Sequence, residues 1–179
     1  MSPRPIRIAA LAATLGAASL LFGCSTQITV CPVAAILADT ATMTTFKQGT
    51  RPDPANELYT VQLVNAETSC SYNRKEGTTS SELTLTFHAT RPPSALGASY
   101  AAPFFVVVNE NDKLYDKKNY TLRFSFAPGA VSADIKQSPD DIEIKIANGK
   151  LPWNYQLLSG LQLTSEQMAY NKKIGSYLP

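Results

Sequence analysis

The feature that most restricts the fold of this chain is an alternation of apolar and polar side chains. From Leu83 to Ala89 every second residue is apolar, within a segment, 81–90, that is otherwise polar. In an extended strand, a period of two turns the apolar residues to one buried face and the polar residues to solvent. The same alternation returns at 57–66, 120–126 and 142–146, and it predicts an all-β protein.

Further strands are expected at 40–46, 68–73 and 155–163, with turn-forming residues between strands at fairly even spacing. The run from Phe104 to Val108 is apolar throughout, as is typical of a central strand covered on both faces. The pattern predicts an antiparallel β-sandwich of seven or eight strands. An immunoglobulin-like topology is one form of it, although Trp153 does not lie between the cysteines as in antibody domains.

The one helix signal lies near the C-terminus. Thr164 and Gln167 have the spacing of a capping box, and helix-compatible residues follow over 165–172. The segment is too short to be stable alone, so we expect it to dock through Met168 and Tyr170. The sequence therefore predicts a short C-terminal helix.

The first 23 residues have the composition of a targeting segment. Arg4 and Arg7 give a short positive region, and the chain from Ile8 to Phe22 is uncharged and apolar or small. This stretch is shorter than the roughly 20 residues that a membrane-spanning helix needs. It fits the hydrophobic region of a signal peptide instead.

The residues that end this stretch, Leu21-Phe22-Gly23-Cys24, resemble the lipobox of bacterial lipoproteins. The resemblance implies cleavage by signal peptidase II between Gly23 and Cys24 and the attachment of diacylglycerol and further acyl groups, such as palmitate, to Cys24. Several acyl chains would hold the protein at the bilayer. Because Ser25 and not Asp follows, the resemblance implies the periplasmic face of the outer membrane more than the inner membrane.

These features divide the chain into a signal peptide (1–23), a lipidated tether (24–30) and a single β-sandwich domain (31–179). An ordinary secretory signal cut near Ala17 is the alternative. The mature part resembles only small, uncharacterised lipoproteins of Gram-negative envelopes, and that resemblance implies no catalytic or binding residue.

The chain has three cysteines. If Cys24 carries the lipid, Cys31 and Cys70 remain as a pair in an oxidising compartment, where disulfides persist. A bridge would close a loop of about 40 residues and stabilise the fold by about 4 kcal/mol on the chain-entropy model. The alternative is two free, buried thiols.

Charge argues against one class of partner. Loss of the leader removes two arginines and no acidic residue, which leaves 14 basic and 14 acidic side chains and no net charge. A neutral domain without a basic surface gives no case for nucleic-acid binding.

The residues with catalytic potential all have simpler interpretations. His88, the single histidine, is predicted on the outward face of a strand, and no Gly-x-Ser-x-Gly motif accompanies it. The acidic residues Asp140, Asp141 and Glu143 could serve glycoside hydrolysis. However, Asp141 and Glu143 share the solvent face of a strand, where charge keeps a sheet soluble. No catalytic residue is expected.

No metal or cofactor is expected either. Two thiols and one histidine are not a usual zinc set. Residues Asn109 to Asp112, with Asp116, could offer oxygen ligands to calcium, but they lack the spacing of a calcium loop and fit a hairpin turn. The lysines nearby could touch phospholipid headgroups, although Asp112 and Asp116 interleave with them; these are Lys113, Lys117 and Lys118.

Six aromatic residues could line a binding face for a glycan or a peptide: Tyr59, Tyr72, Tyr100, Tyr115, Trp153 and Tyr155. Core packing is the alternative for most of them. A long loop, 91–102, could also carry a binding function. The favoured hypothesis is a non-enzymatic accessory or structural module that binds another envelope protein. A small-ligand or glycan binder is the alternative, and an envelope hydrolase is favoured least.

Overall fold

The computed structural model describes residues 30–111 and 113–175; the leader, with Gly23 and Cys24, lies outside them. The described chain forms two β-sheets and one α-helix. The strands are β1 (Val33–Ile36), β2 (Thr42–Phe46), β3 (Glu57–Asn73), β4 (Thr78–Thr90), β5 (Ala98–Glu110), β6 (Lys113–Phe126), β7 (Ser132–Gln137), β8 (Ile142–Lys145) and β9 (Gln156–Leu161); the helix is α1 (Ser165–Ile174).

The two sheets pack as a sandwich around one core. The first sheet has the order β1-β9-β5-β6, and the second has the order β2-β3-β4-β7, with β8 also paired to β4. All pairs are antiparallel except β1 with β9, which is parallel. The predicted β-sandwich with a short C-terminal helix is confirmed.

The strand order differs from the immunoglobulin topology considered above. In an immunoglobulin domain the last strand pairs with the strand immediately before it in the chain. Here the last strand, β9, lies between β1 and β5, while β7 and β8 belong to the other sheet. Three consecutive strands, β2, β3 and β4, lie side by side. The sandwich architecture is therefore right, and the immunoglobulin-like order is wrong.

The alternation of apolar and polar residues in the sequence correctly predicted which side chains form the core. The four apolar residues of β4 are at most 1% exposed, and they pack against the inward residues of the first sheet. Phe87 meets Phe104 across the two sheets with ring centroids 5.3 Å apart. All five residues from Phe104 to Val108 are buried in β5, which is an interior strand as predicted.

Strand β3 is one strand of 17 residues where the sequence suggested two. The register against β4 shifts between Leu63 and Asn65, so Val64 is an extra residue and turns outward. Because this irregularity interrupts the alternation of apolar and polar residues, the sequence pattern predicted the end of one strand and the start of another. Strand β7 was not predicted, because as an outer strand it has no fully buried residue, and Ala133 and Ile135 are the two hydrophobic residues it half-buries.

The first segment crosses from one sheet to the other. Its Ala-rich start forms β1, a 3₁₀ turn follows over Ala38–Thr40, and the Thr-rich half forms β2 as predicted. The turn explains Gly160 of β9, where the sequence suggested a bulge. The register of β9 is regular there, but a Cβ atom at Gly160 would lie 2.0 Å from Oγ1 of Thr40.

Helix α1 starts with the predicted capping box between Thr164 and Gln167. It lies against β2, the outer strand of the second sheet, and Tyr170 meets Phe46 edge to face at 4.9 Å. Tyr170 is buried, as expected, whereas Met168 is 39% exposed and does not dock the helix. Docking depends instead on Asn171, which is buried and was not singled out.

The predicted disulfide is confirmed. Cys31 and Cys70 are bonded, with Cα atoms 5.6 Å apart. Cys31 precedes β1 of the first sheet and Cys70 lies in β3 of the second. The bond therefore ties the start of the described chain to both layers of the sandwich.

Candidate functional site

A groove opens at one side of the sandwich, between β6 of the first sheet and β8 of the second. It encloses about 560 Å³ and has buried apolar lining from Val108, Ile144 and Ile146. Exposed side chains, most of them polar, complete the lining: Tyr115, Asp116, Glu143, Lys145, Ala147 and Asn148. This size and mixed lining are typical of pockets for small ligands.

Local sequence explains why the groove stays open. Strand β8 has four residues and pairs only with Thr78–Ser81 of β4, so the second sheet is narrow at this end. On β6, Asp116 and Lys118 pair with Val108 and Val106, two residues that face the core. Because burying an unpaired charge is costly, charged side chains at such positions keep the two sheets apart here.

A buried carboxylate lies beside the groove. Glu110 ends β5, and its Oε2 accepts a hydrogen bond from the hydroxyl of Tyr115 at 2.6 Å. Its Oε1 lies 2.9 Å from Nζ of Lys150, in the connection between β8 and β9. The cluster therefore joins the β5–β6 hairpin to that connection.

These contacts determine the protonation of the cluster. The hydrogen bond from Tyr115, followed by that from Lys150, holds the pKa of Glu110 below its ordinary value. The hydrogen bond to Glu110 raises the pKa of Tyr115, and the same carboxylate raises the pKa of Lys150. Both carboxylate oxygens are thus engaged and the proton is held weakly, which suits a structural anchor better than a general acid or base.

Glu110 was not predicted as a site residue, because it was interpreted as part of the hairpin turn. Phe104, Val106 and Val108 alternate as core residues, and Glu110 is the next position of the same parity. Glu110 could have been recognised as a charged residue at the position where the next buried apolar residue of the strand was expected.

The histidine lies where the sequence placed it. His88 is on the outward face of β4, opposite Asp134 of β7, with Nδ1 and Oδ1 2.6 Å apart. The side chain of Asp134 is 78% exposed. A pair this open to water is worth little in stability. Its position is that of a surface pair between neighbouring strands.

The acidic and turn residues are also on the surface. Asp140, Asp141 and Glu143 are all exposed, as predicted for the solvent face of β8 and the residues before it. Asn111 has a left-handed backbone with φ of 51°, and the amide of Asn109 donates to its carbonyl oxygen. Within 30–111 and 113–175, no cluster of three or more His, Cys, Asp or Glu side chains could hold a metal ion. Asp112 lies outside the described residues.

The six aromatic residues do not form one binding face. Tyr59 and Tyr155 are core residues whose hydroxyl groups bond to the backbone, Tyr59 to the oxygen of Ala101 at 2.9 Å. Tyr155 accepts from the nitrogen of Ala147 at 3.0 Å. Tyr72 and Tyr100 are half-buried and pack against the core. Tyr115 and Trp153 are exposed, and they lie at the same end of the sandwich.

The loop after β4 is shorter than predicted and well anchored. It spans 91–97, because β5 starts at Ala98. Arg91 is 7% exposed, and its guanidinium donates to the carbonyl oxygens of Leu96, Ala127 and Ala130. These contacts fix the loop against the β6–β7 turn, so Arg91 is a structural residue, although no sequence pattern singled it out.

No family model, curated protein or solved structure matches this chain. No helix in the described part of the chain is long and apolar enough to cross a membrane. The candidate site is therefore defined by geometry alone: an open groove, the Glu110 cluster beside it and the exposed aromatic residues near the start of β1.

Proposed function

We propose that this protein is an exported bacterial lipoprotein, held at an envelope membrane by acylated Cys24, whose sandwich serves as a non-enzymatic binding module. The observation that carries the proposal is the bond between Cys31 and Cys70. Disulfides form and persist outside the reducing cytosol. Their pairing leaves Cys24 as the single remaining cysteine, at the end of the lipobox-like segment.

The periplasmic face of the outer membrane is the proposed location. Ser25 directly after the acylated cysteine favours transport to the outer membrane over retention at the inner membrane. The short stretch between Cys24 and Cys31 would keep the domain close to the bilayer.

The absence of an enzymatic role is proposed from the state of the titratable groups. Glu110 has both oxygens engaged by Tyr115 and Lys150, and His88 is in an open pair with Asp134. Among the residues that the structure describes, neither group lies in a cleft with a nucleophile and a base in hydrogen-bond reach of each other, the arrangement that covalent catalysis requires.

Lipidation can be tested by feeding a fatty acid that bears an alkyne tag to cells of a Gram-negative host producing the full chain. The wild type is expected to take up the tag and to separate with membranes. Cys24→Ala should lose the tag, while Cys31→Ala/Cys70→Ala, the matched control, should retain it. An untagged wild-type protein, or equal tagging of Cys24→Ala, contradicts the proposal.

Binding of another envelope protein is supported by β6. This strand is the outer strand of the first sheet, and its backbone pairs with β5 on one side. Seven successive residues of the strand, 113–119, are exposed. An outer strand offers unpaired backbone groups to a partner. Purification of the lipidated protein from crosslinked envelopes should recover one defined partner, and crosslinking should be lost when Thr121→Pro blocks the edge.

A small ligand in the groove is the second candidate, supported by its volume and mixed lining. Ala147 is exposed and lines the groove, so Ala147→Trp would fill it without disturbing the core. A ligand that raises the melting temperature of the wild type should fail to raise that of Ala147→Trp. Ala127→Trp, at the opposite end, is the matched control and should respond as the wild type does.

A further inference from the structure

We propose that the end of the sandwich nearest the tether rests on the phospholipid surface, with Trp153, Leu114 and Tyr115 in the headgroup region. This tether end comprises Val30–Val33, the β5–β6 hairpin turn and the connection from Ala147 to Tyr155. The inference rests on the proposed lipid anchor at Cys24.

The path of the chain places these elements together. The nitrogen of Val33 donates to the oxygen of Tyr155 at 3.1 Å, so the chain enters the first sheet directly beside the connection that carries Trp153. Val33 pairs with Gln156, Gln156 with Asn109, and Asn109 with Leu114. Three strand spacings make this row about 14 Å wide.

The length of the tether limits how far this end can lie from the bilayer. Five residues lie between Cys24 and Val30, and the six Cα-to-Cα steps that join them span at most about 22 Å when fully extended. The disulfide fixes Cys31 to β3, so the free tether cannot lengthen by unpairing the start of the domain.

The opposite end of the sandwich is out of reach when the strands stand upright. Strand β5 runs from Ala98 at the far end to Glu110 at the tether end, 13 residues that span about 40 Å. Leu96 and Val131 are exposed at the far end, whereas Val30, where the tether joins the domain, lies at the other end. The position of the anchor therefore decides which exposed apolar residues meet lipid.

The side chains at the tether end have the chemistry of an interfacial surface. Leu114, Val33, Trp153 and Tyr115 are 60%, 53%, 46% and 41% exposed. Tryptophan and tyrosine combine an apolar ring with a polar group, a combination favoured where hydrocarbon meets water. Exposed apolar residues in one region of a surface also indicate a contact site.

The charges at this end suit lipid headgroups. Nζ of Lys113 lies 5.0 Å from the centre of the Tyr115 ring, so a cation accompanies an aromatic residue that would enter the interface. Arg74 and Lys75 are exposed in the β3–β4 turn, which is joined to this end by a 2.7 Å bond from the nitrogen of Ile146 to the oxygen of Gly77. Among the acidic groups, Glu110 is paired with Lys150, while Glu76 and Asp116 are exposed, so this end carries charges of both signs, as zwitterionic headgroups do.

Trp153 is the single tryptophan of the chain, so the protein carries its own depth probe. The test uses the lipidated full-length product in vesicles of phosphatidylcholine and phosphatidylglycerol with brominated acyl chains, which quench tryptophan at short range. The fluorescence of Trp153 should fall by at least half relative to unbrominated vesicles, and its emission should shift to shorter wavelength.

The matched control moves the probe to the far end. In Trp153→Phe/Leu96→Trp the fluorescence should be the same in brominated and unbrominated vesicles. In a second variant, Leu114→Glu, quenching of Trp153 should drop at least twofold, whereas Leu96→Glu should leave it unchanged.

The possible failures are distinguishable. If the acylated protein sediments with the vesicles but Trp153 is not quenched, the orientation is wrong and the anchor stands. Equal quenching of the probe at residues 153 and 96 also contradicts the orientation. If Cys24 carries no acyl group and the protein stays in the supernatant, the anchor itself is wrong, and the orientation that rests on it falls too.

Discussion

Arg91 holds three segments together at the end of the sandwich farthest from the tether. Its guanidinium donates to the carbonyl oxygens of Leu96, Ala127 and Ala130 and lies 4.9 Å from the ring centre of Phe126. A buried charge is tolerated only when its hydrogen bonds are satisfied. The sequence could not reveal this role, because Arg91 precedes a Pro-Pro loop and belongs to no periodic pattern.

Replacing Arg91 with methionine should keep much of the packing but leave the three carbonyl groups without their donor. We expect the free energy of unfolding to fall by about 2–4 kcal/mol, measured by urea denaturation. Arg123→Met, at an exposed position of β6, is the control and should change it by less than about 0.5 kcal/mol. Equal effects of the two substitutions would contradict the role of Arg91.

Glu110 should make stability depend on pH in the acid range. Because its pKa in the folded protein is held below the ordinary value of 4.5, its contribution is present above that value. The contribution is lost as the pH falls through the lowered pKa. The melting temperature of Glu110→Gln should therefore lie below that of the wild type at pH 7, and the gap should narrow below about pH 4.

The control for that experiment is Glu143→Gln, an exposed position on β8. As a surface substitution, it should change the melting temperature at pH 7 far less than Glu110→Gln does. A gap for Glu110→Gln that is as wide at pH 3 as at pH 7 would show that the carboxylate is not stabilised by Tyr115 and Lys150.

At the scale of elements, helix α1 protects the open edge of the second sheet. The side chain of Asn171 donates to the oxygen of Thr42 at 2.7 Å, and that of Gln167 donates to the oxygen of Thr44 at 3.1 Å. These carbonyl groups belong to β2, the outer strand, so the helix satisfies backbone groups that would otherwise invite another strand. The helix thus has a structural purpose that its sequence does not disclose.

Removal of the Asn171 amide should leave the buried carbonyl group of Thr42 without a donor. We expect Asn171→Ala to lower the free energy of unfolding by about 1–3 kcal/mol in urea denaturation. Met168→Ala, on the exposed side of the same helix, is the control and should have a much smaller effect. The interpretation fails if Met168→Ala is the more damaging change.

Elements with a strong local signal could be predicted, and those shaped by tertiary contacts could not. The alternation of β4 and the capping box of α1 are local, so both were recognised. The extra residue Val64 made one long strand look like two, and β7 has too few buried residues to show a pattern. Gly160 needed the position of Thr40, which lies 120 residues away in the chain.

At the scale of the whole molecule, the disulfide joins the two layers where the chain enters the fold. Cys31 leads into β1 of the first sheet, and Cys70 belongs to β3 of the second. The disulfide could be predicted, because assigning Cys24 to the lipid leaves two cysteines in a compartment where disulfides form. The groove could not, because it depends on the short β8 of one sheet lying opposite charged residues of β6 in the other.

Breaking the disulfide should destabilise the whole sandwich. A sequence separation of 39 residues gives an expected loss of about 4 kcal/mol on the chain-entropy model for Cys31→Ala/Cys70→Ala, measured by denaturant unfolding. A reducing agent should lower the midpoint of the wild type and leave that of the double variant unchanged. A wild type insensitive to reduction under conditions that open the bond would contradict this expectation.

The proposed identity of this protein as a lipoprotein depends on the chemical state of one residue, Cys24. The most direct measurement is intact mass spectrometry of the protein purified from the membranes of a Gram-negative host. We expect a chain that starts at Cys24 and carries the added mass of a diacylglyceryl group, with or without a further acyl chain on its amine. A chain that still begins at Met1, or one whose Cys24 is unmodified, would contradict the central claim.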